Sequence, residues 1–252
     1  MRHAGAGPGD NFPATRWSAV VAARSPDPQQ RERALDALAA AYWKPVFKYI
    51  RLRWNREFED AEDLTQGFFA GLLERDLLGK YDPAKSRLRT FLRLCVDSFV
   101  LNEQKAATRQ KRGGRSPHVP LDFEAAEGEL RMCAMDPEDM ASPDSLERFF
   151  EKEWVRSLFE LAVDDLRQLC AARRREAVYR LFERYDLEEE RTTATYAQLA
   201  GELGMAVTDV TNGLAWARRE FRRIALDRLR GMCAGEEEFR REARAVFGWE
   251  VP

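Results

Sequence analysis

Apolar residues in this chain recur at three- and four-residue spacing from end to end, and no stretch alternates β-branched with polar residues. Ala34, Leu35, Leu38, Ala41 and Tyr42 make one such stripe; Leu64, Phe68, Phe69, Leu72 and Leu73 make another. A period near 3.6 turns one face of a helix to a core and leaves the other wet, so the chain is expected to be all-α. No segment repeats at the period of a solenoid, about 30 to 50 residues. With 44% hydrophobic residues the 252-residue chain can bury a core, and 33% charged residues suit solvated amphipathic helices.

Helix breakers divide the chain. Residues 1–13, with glycines and prolines, read as a disordered arm, and 14–112 as a helical block. The run 113–143 (GGRSPHVPLDFEAAEGELRMCAMDPEDMASP) holds four prolines and three glycines. It reads as a flexible linker with one short ordered piece at most. A second helical block covers 144–230, closed by Gly231, and 231–252 is an extension with a short amphipathic helix, EEEFRREARAVFG. The expected architecture is two small helical domains on a tether.

Several functions are disfavoured at once. Cys95, Cys133, Cys170 and Cys233 are scattered without a CxxC pair, and the only histidines are His3 and His118. Neither a disulfide framework, a zinc site nor a histidine-based triad has material to build on. Phosphate-loop, dinucleotide and nucleophile-elbow strings are missing, so no cofactor and no metal are expected, and an enzyme is the less expected class. There is no run of about eighteen apolar residues and no secretion signal, which points to a cytoplasmic protein without a membrane partner.

The net charge is only −2, but it is segregated. From Glu57 to Asp82 eight acids face two bases, a net −6; from Lys85 to Arg115 nine bases face two acids, a net +7. One surface repels phosphate and its neighbour attracts it, although on charge alone two solvated helix faces read the same way.

The second block holds a candidate helix-turn-helix. Thr195 is placed to cap Tyr196–Leu203, Gly204 supplies a left-handed turn, and Thr208 is placed to cap the next helix. Ala200, Leu203, Val210 and Leu214 have the spacing of an apolar seam between crossed helices. Docked in a major groove, Thr208, Asp209, Thr211 and Asn212 would meet base edges, and Arg218, Arg219, Arg222 and Arg223 would meet phosphates. An ordinary helical hairpin in a bundle is the alternative.

These strings together resemble bacterial RNA polymerase sigma factors of the extracytoplasmic-function class, in particular a long-linker subgroup. DAEDLTQGFFAGLLERDLL (Asp60–Leu78) is similar to the family's acidic D-A-E-D-L-x-Q-x-x-F helix. YDPAKSRLRTFLRLCVDSFVLNEQKAATRQKRGG (Tyr81–Gly114) is similar to its F-D-P-x-x-x-x-F-R-x-W-L helix with a basic end. YAQLAGELGMAVTDVTNGLAWARREFRRI resembles its promoter-reading helix-turn-helix, and PLDFEAAEG its linker.

The resemblance implies two macromolecular partners, core RNA polymerase through its largest subunits and promoter DNA, and it leaves room for an anti-sigma regulator. By matching position, Asp60, Glu62, Asp63, Leu64, Gln66 and Phe69 would contact polymerase. Arg87, Arg89, Arg93, Asn102, Lys105 and Arg109 would hold the upstream promoter element as a single strand, a task that needs cations along a backbone. Phe91 matches the family's usual Trp and is expected in the core. Asp97 stands where the family often has Asn, and is expected near the strand surface or facing a neighbouring Arg. The family usually has Lys or Arg where this chain has Thr211, Asn212 and Gly213, so two rivals stay open. One is a helical interaction module with a degenerate helix-turn-helix; the other is a DNA-binding regulator that acts without polymerase. AYWKPVFKYIRLRW (Ala41–Trp54) interleaves aromatics and bases, but its spacing is core-facing, and TRWSAVVAA reads as an added helix on the first block.

Overall fold

The computed structural model describes residues 18–74, 76–106, 120–133, 142–188 and 195–250. Among them every element is helical and none is a strand. The elements are α1 (Ala19–Ala22), α2 (Pro28–Arg53), α3 (Phe58–Glu74), a 3₁₀ turn (Leu77–Lys80), α4 (Leu88–Ala106), α5 (Phe123–Met132) and α6 (Pro143–Ala172). Then come α7 (Glu176–Phe182), a π turn (Glu183–Leu187), α8 (Tyr196–Leu203), α9 (Val207–Arg230) and α10 (Glu236–Phe247).

The two longest helices, α2 and α6, start where the chain carries caps. Asp27 accepts from Gln29 N–H and Pro28 opens α2; Ser142 accepts from Ser145 N–H and Pro143 opens α6. A side-chain oxygen satisfies an orphan donor while proline fixes φ at the first helical position. Between Ala41 and Trp54, Tyr42, Trp43, Phe47, Tyr49 and Ile50 are buried, so the aromatic–basic string serves the core.

The largest core joins α1–α4 with Phe123 and Ala126 of α5, with Leu146, Phe150, Trp154 and Leu158 of α6, and with Phe239 and Ala243 of α10. A second core takes Ala162, Leu166 and Cys170 from the far half of α6 and Ala217, Phe221, Ile224 and Ala225 from α9. A third lies among Leu181, Leu199, Ala200, Val210 and Leu214. The run at 113–143 therefore does not divide two independent cores in the described residues. Its one ordered piece, α5, fills the first core, and α6 carries an unbroken apolar stripe through both. Thirty residues at 1.5 Å each give α6 a length of about 45 Å, enough to serve as a shared rod.

Charged seams tie the same elements. Lys48 is 0% exposed and is held between Glu129 at 2.7 Å and Glu153. Lys44 meets Glu129 at 2.7 Å and Glu160 at 2.9 Å, and Arg51 forks onto Glu127 at 2.7 and 2.9 Å. Charges taken out of water need this kind of pairing. At the chain's other end, the Ala19 N–H donates to Gly231 O at 2.6 Å, which pins α1 to the end of α9.

Candidate nucleic-acid interface

Three surfaces carry the residues singled out in the sequence, and they end up in different states. On α4, Leu88, Leu92, Val96, Phe99 and Val100 face inward, which leaves the arginines one step around the helix. Arg89 and Arg93 are withdrawn from solvent, while Arg87, just before α4, keeps a 40% exposed side chain. Arg87 pairs with Glu151 at 3.3 Å and Glu242 at 3.4 Å. Arg89 pairs with Glu151 at 2.7 Å and with Glu242, and its guanidinium lies 4.9 Å from the Trp154 ring centre. Arg93 reaches Glu147 at 3.2 Å, Asp97 at 3.6 Å and the Tyr49 hydroxyl at 3.4 Å. Burial alone would lower the pKa of Arg89, but Glu242 and Glu151 outweigh it and raise it. Asp97 faces its neighbours: it also accepts from Tyr49 OH and Trp54 Nε1, each at 3.1 Å. Asn102 and Lys105 are exposed on the last turns of α4, and Arg109 lies outside the described residues. Phe91 is half-buried against Tyr81, with ring centres 5.3 Å apart.

The acidic surface is α3. Asp60 and Asp63 are exposed and Glu62 is half-buried, accepting from Gln66 Nε2 at 3.2 Å. Leu64 and Phe69 are different. Leu64 packs on the main core, and Phe69 is 3% exposed with its ring edge on Phe68 at 5.3 Å. Phe69 therefore corrects the expectation of a contact residue: it sits on the inward stripe with Phe68 and Leu72. Opposite-signed helices lie close together because Gly67 lets Phe99 of α4 approach; a Cβ there would meet its ring at 3.2 Å.

The third surface is α9. Thr195 and Gln198 form a reciprocal capping box on α8, and Gly204 turns the chain at φ 64. The expected cap at Thr208 is corrected: α9 begins at Val207 with Ala206 in the cap position and no side-chain cap, so Thr208 lies inside the first turn. The α8–α9 turn is closed by Met205 N–H on Ala200 O at 3.0 Å, and α9 starts two residues earlier than expected. The expected seam forms, with Leu203 at its half-buried edge. Thr208, Asp209, Thr211 and Asn212 are exposed, Thr211 bonding back to Val207 O at 3.1 Å. Gly213 faces inward, where α7 approaches through Leu181 and Val178.

Further along α9, Arg218 forks onto Asp186 at 2.8 to 3.2 Å, and this contact raises its pKa. Arg219 and Arg222 are exposed, Arg222 lying 4.7 Å from the Trp249 ring centre. Arg223 pairs within its own helix, with Glu220 at 3.1 Å and Asp227 at 2.9 Å.

Sequence reading missed two sets of residues. Arg173, Arg174 and Arg175 form the exposed α6–α7 turn, and Arg175 stacks 4.6 Å from Trp216 of α9, which extends the basic face of that helix. Arg174 holds φ 55, a left-handed position that usually goes to glycine. A run of three arginines after a long helical pattern was the available signal. The second set, Glu147, Glu151 and Glu242, gave none, because their partners lie 54 to 153 residues away.

Among the described residues no group of three or more histidine, cysteine or acidic side chains is placed to hold a metal, and no helix is long and apolar enough to cross a membrane. Compared with protein-family models, with curated proteins and with solved structures, the chain finds no match.

Proposed function

We propose that this chain is a non-catalytic transcription initiation factor of the sigma type. In this reading it binds core RNA polymerase through the acidic face of α3 and directs promoter recognition and opening. The reading rests on the resemblance of its motifs. Its main physical support is the α8–α9 pair, a box-capped helix, a left-handed glycine turn and a second helix with a wet face. That face carries Thr208, Asp209, Thr211 and Asn212 at its start and Arg218, Arg219 and Arg222 behind them. The spacing suits base edges first and phosphates after. The Arg173–Arg175 turn, stacked on Trp216, would add phosphate contacts beside it.

On α3, Asp60, Glu62 and Asp63 would meet a basic polymerase surface, and their charge discourages free DNA from occupying it. Leu64 and Gln66, both half-buried, would join that contact, and Phe69 would hold the helix from behind. Asn102, Lys105 and Arg109, with Arg87, Arg89 and Arg93 once freed, would hold the unpaired promoter strand. A cytoplasmic location follows from this role.

The test is run-off transcription with purified bacterial core polymerase over a promoter library, together with co-purification. Promoter-dependent transcripts that need this chain are the expected result, and failure to associate with polymerase sinks the reading. A second reading, a helical docking module for a regulator, is favoured by the uncharged first turns of α9. Arg218→Ala with Arg222→Ala separates them, since transcription drops under the sigma reading and regulator binding is untouched under the other. A gel shift on promoter DNA with and without polymerase isolates a regulator that acts alone.

A further inference from the structure

Three carboxylates from the C-terminal half of the chain occupy the places where α4 arginines would otherwise meet a ligand. Glu147 and Glu151 stand one helical turn apart on α6, and Glu242 comes from α10; between them they engage Arg87, Arg89 and Arg93. Helix α10 is seated by further contacts. Tyr81 OH donates to Glu238, whose other oxygen accepts from Ala234 N–H at 2.6 Å; Arg241 reaches Pro83 O at 3.4 Å, and Phe239 and Ala243 are buried.

The seat is imperfect. A cavity with room for about one water lies between α4, α6 and α10, lined by Arg89, Trp154, Glu238 and Glu242 among others. On its rim Arg87 Nε faces Glu242 Oε1 across 3.4 Å. A twelve-residue helix is marginal alone in water, so the helical state of α10 depends on this seat.

From this arrangement we propose that α10 and the first turns of α6 form an intramolecular acidic clamp, which holds the α4 arginines in the unbound chain and yields them to single-stranded DNA. Carboxylate and phosphate compete for the same planar guanidinium forks, so clamp and strand exclude each other. The proposal rests on the strand-holding role given to α4 above. It adds that the free chain is latent at that surface while α9 stays open to duplex.

The test uses full-length chains and a fluorescein-labelled single-stranded oligonucleotide of mixed sequence, followed by anisotropy at fixed salt. Glu147 and Glu151 are about a third exposed, so Glu147→Gln with Glu151→Gln preserves the fold, which circular dichroism checks. Glu242→Gln removes the buried member. Glu124→Gln with Glu202→Gln makes the same charge change as the α6 pair on exposed sites away from α4. The clamp variants are expected to bind about tenfold more tightly than the unaltered chain and the control. A gain no larger than the control's overturns the clamp. In the unaltered chain, saturating oligonucleotide is expected to speed amide exchange across 236–247; unchanged exchange there also overturns it. Co-purification with core polymerase separates the two ideas. Clamp variants that gain affinity in a chain that never binds polymerase leave the clamp standing and remove the sigma reading. A chain that initiates transcription but whose variants gain nothing does the reverse.

Discussion

The arginines at the start of α4 and those along α9 meet different surroundings. On α4, Arg89 is 6% exposed and opposes Glu242 at 4%, and each arginine of the row faces a carboxylate from another helix. On α9, Arg218, Arg219 and Arg222 stay on the wet side, Arg218 against Asp186 and Arg222 against the Trp249 ring. Residue type sets what a cation can bind, and the packing of the distant half of the chain sets whether it is available. Desolvated pairs are costly to break, whereas exposed pairs contribute little.

The sharpest way to break that comparison is Arg89→Met. It fills similar volume but leaves Glu242 buried without its main partner, and a loss of about 3–5 kcal/mol is expected in urea unfolding. A loss below about 1 kcal/mol would mean that Glu242 is hydrated and that α4 is no more closed than α9.

A second way uses pH on the seam below α4. Arg51 holds the Glu127 carboxyl below its ordinary 4.5. For Glu129, burial alone would push the value up, but Lys44 and Lys48 bring it below 4.5. A carboxylate with a depressed folded pKa contributes stability that is complete above its unfolded value and lost as pH falls through the folded one. Thermal midpoints are therefore expected to hold near pH 6 and to fall progressively below about pH 4.5. Lys44 has the opposite sign: its pKa is raised from 10.5 because Glu129 and Glu160 outweigh burial, so its contribution is lost only as pH rises beyond that value. A flat midpoint from pH 5 to pH 3 would show that the seam is not coupled to folding.

Local features were legible and non-local ones were not. Helical period, the Thr195 cap, the Gly204 turn and the seam of Val210 and Leu214 each depend on neighbours within a few residues, so the chain displays them directly. The glutamates of α6 and α10 look the same in sequence whether they face water or an arginine on another helix. Their pairing, and with it the closed state of α4, follows only from the shared rod α6 and the seat of α10. Phe69 marks a different limit. Its place in the apolar stripe indicated the core, while family likeness pointed outward, and the packing follows the stripe. Gly213 lies inside α9, where helix propensity disfavours it, and its open side faces Leu181 and Val178 of α7.

The approach of α7 leaves some room at Gly213. A Cβ on Gly213 would meet Leu181 at 3.4 Å and Val178 at 3.6 Å, which is ordinary contact. Gly213→Ala is expected to stabilise the chain by about 0.5–1 kcal/mol through helix propensity, read as a rise of the thermal midpoint. Gly213→Val adds two further carbons to the same gap and is expected to lose about 1–3 kcal/mol. If alanine instead destabilises, α7 and α9 are packed as tightly as α4 and α6, and the open side of the comparison is stiffer than its exposed arginines suggest.

The smallest stability effect belongs to Arg218→Ala. Its guanidinium is 45% exposed and its partner Asp186 sits at the surface, so the loss is expected to stay within about 1 kcal/mol despite the forked geometry. Binding should respond instead. If Arg218 serves duplex phosphate, affinity for promoter DNA in the polymerase complex falls for all sequences alike, and the salt slope of binding drops by about one. The fork onto Asp186 opposes that use, because the carboxylate must be displaced before a phosphate is taken. Asp186→Asn should therefore tighten DNA binding while leaving the midpoint nearly unchanged. Equal affinities for Asp186→Asn and the unaltered chain would show that Arg218 remains on its own protein surface when DNA is bound, and the phosphate contacts of α9 would then fall to Arg219 and Arg222.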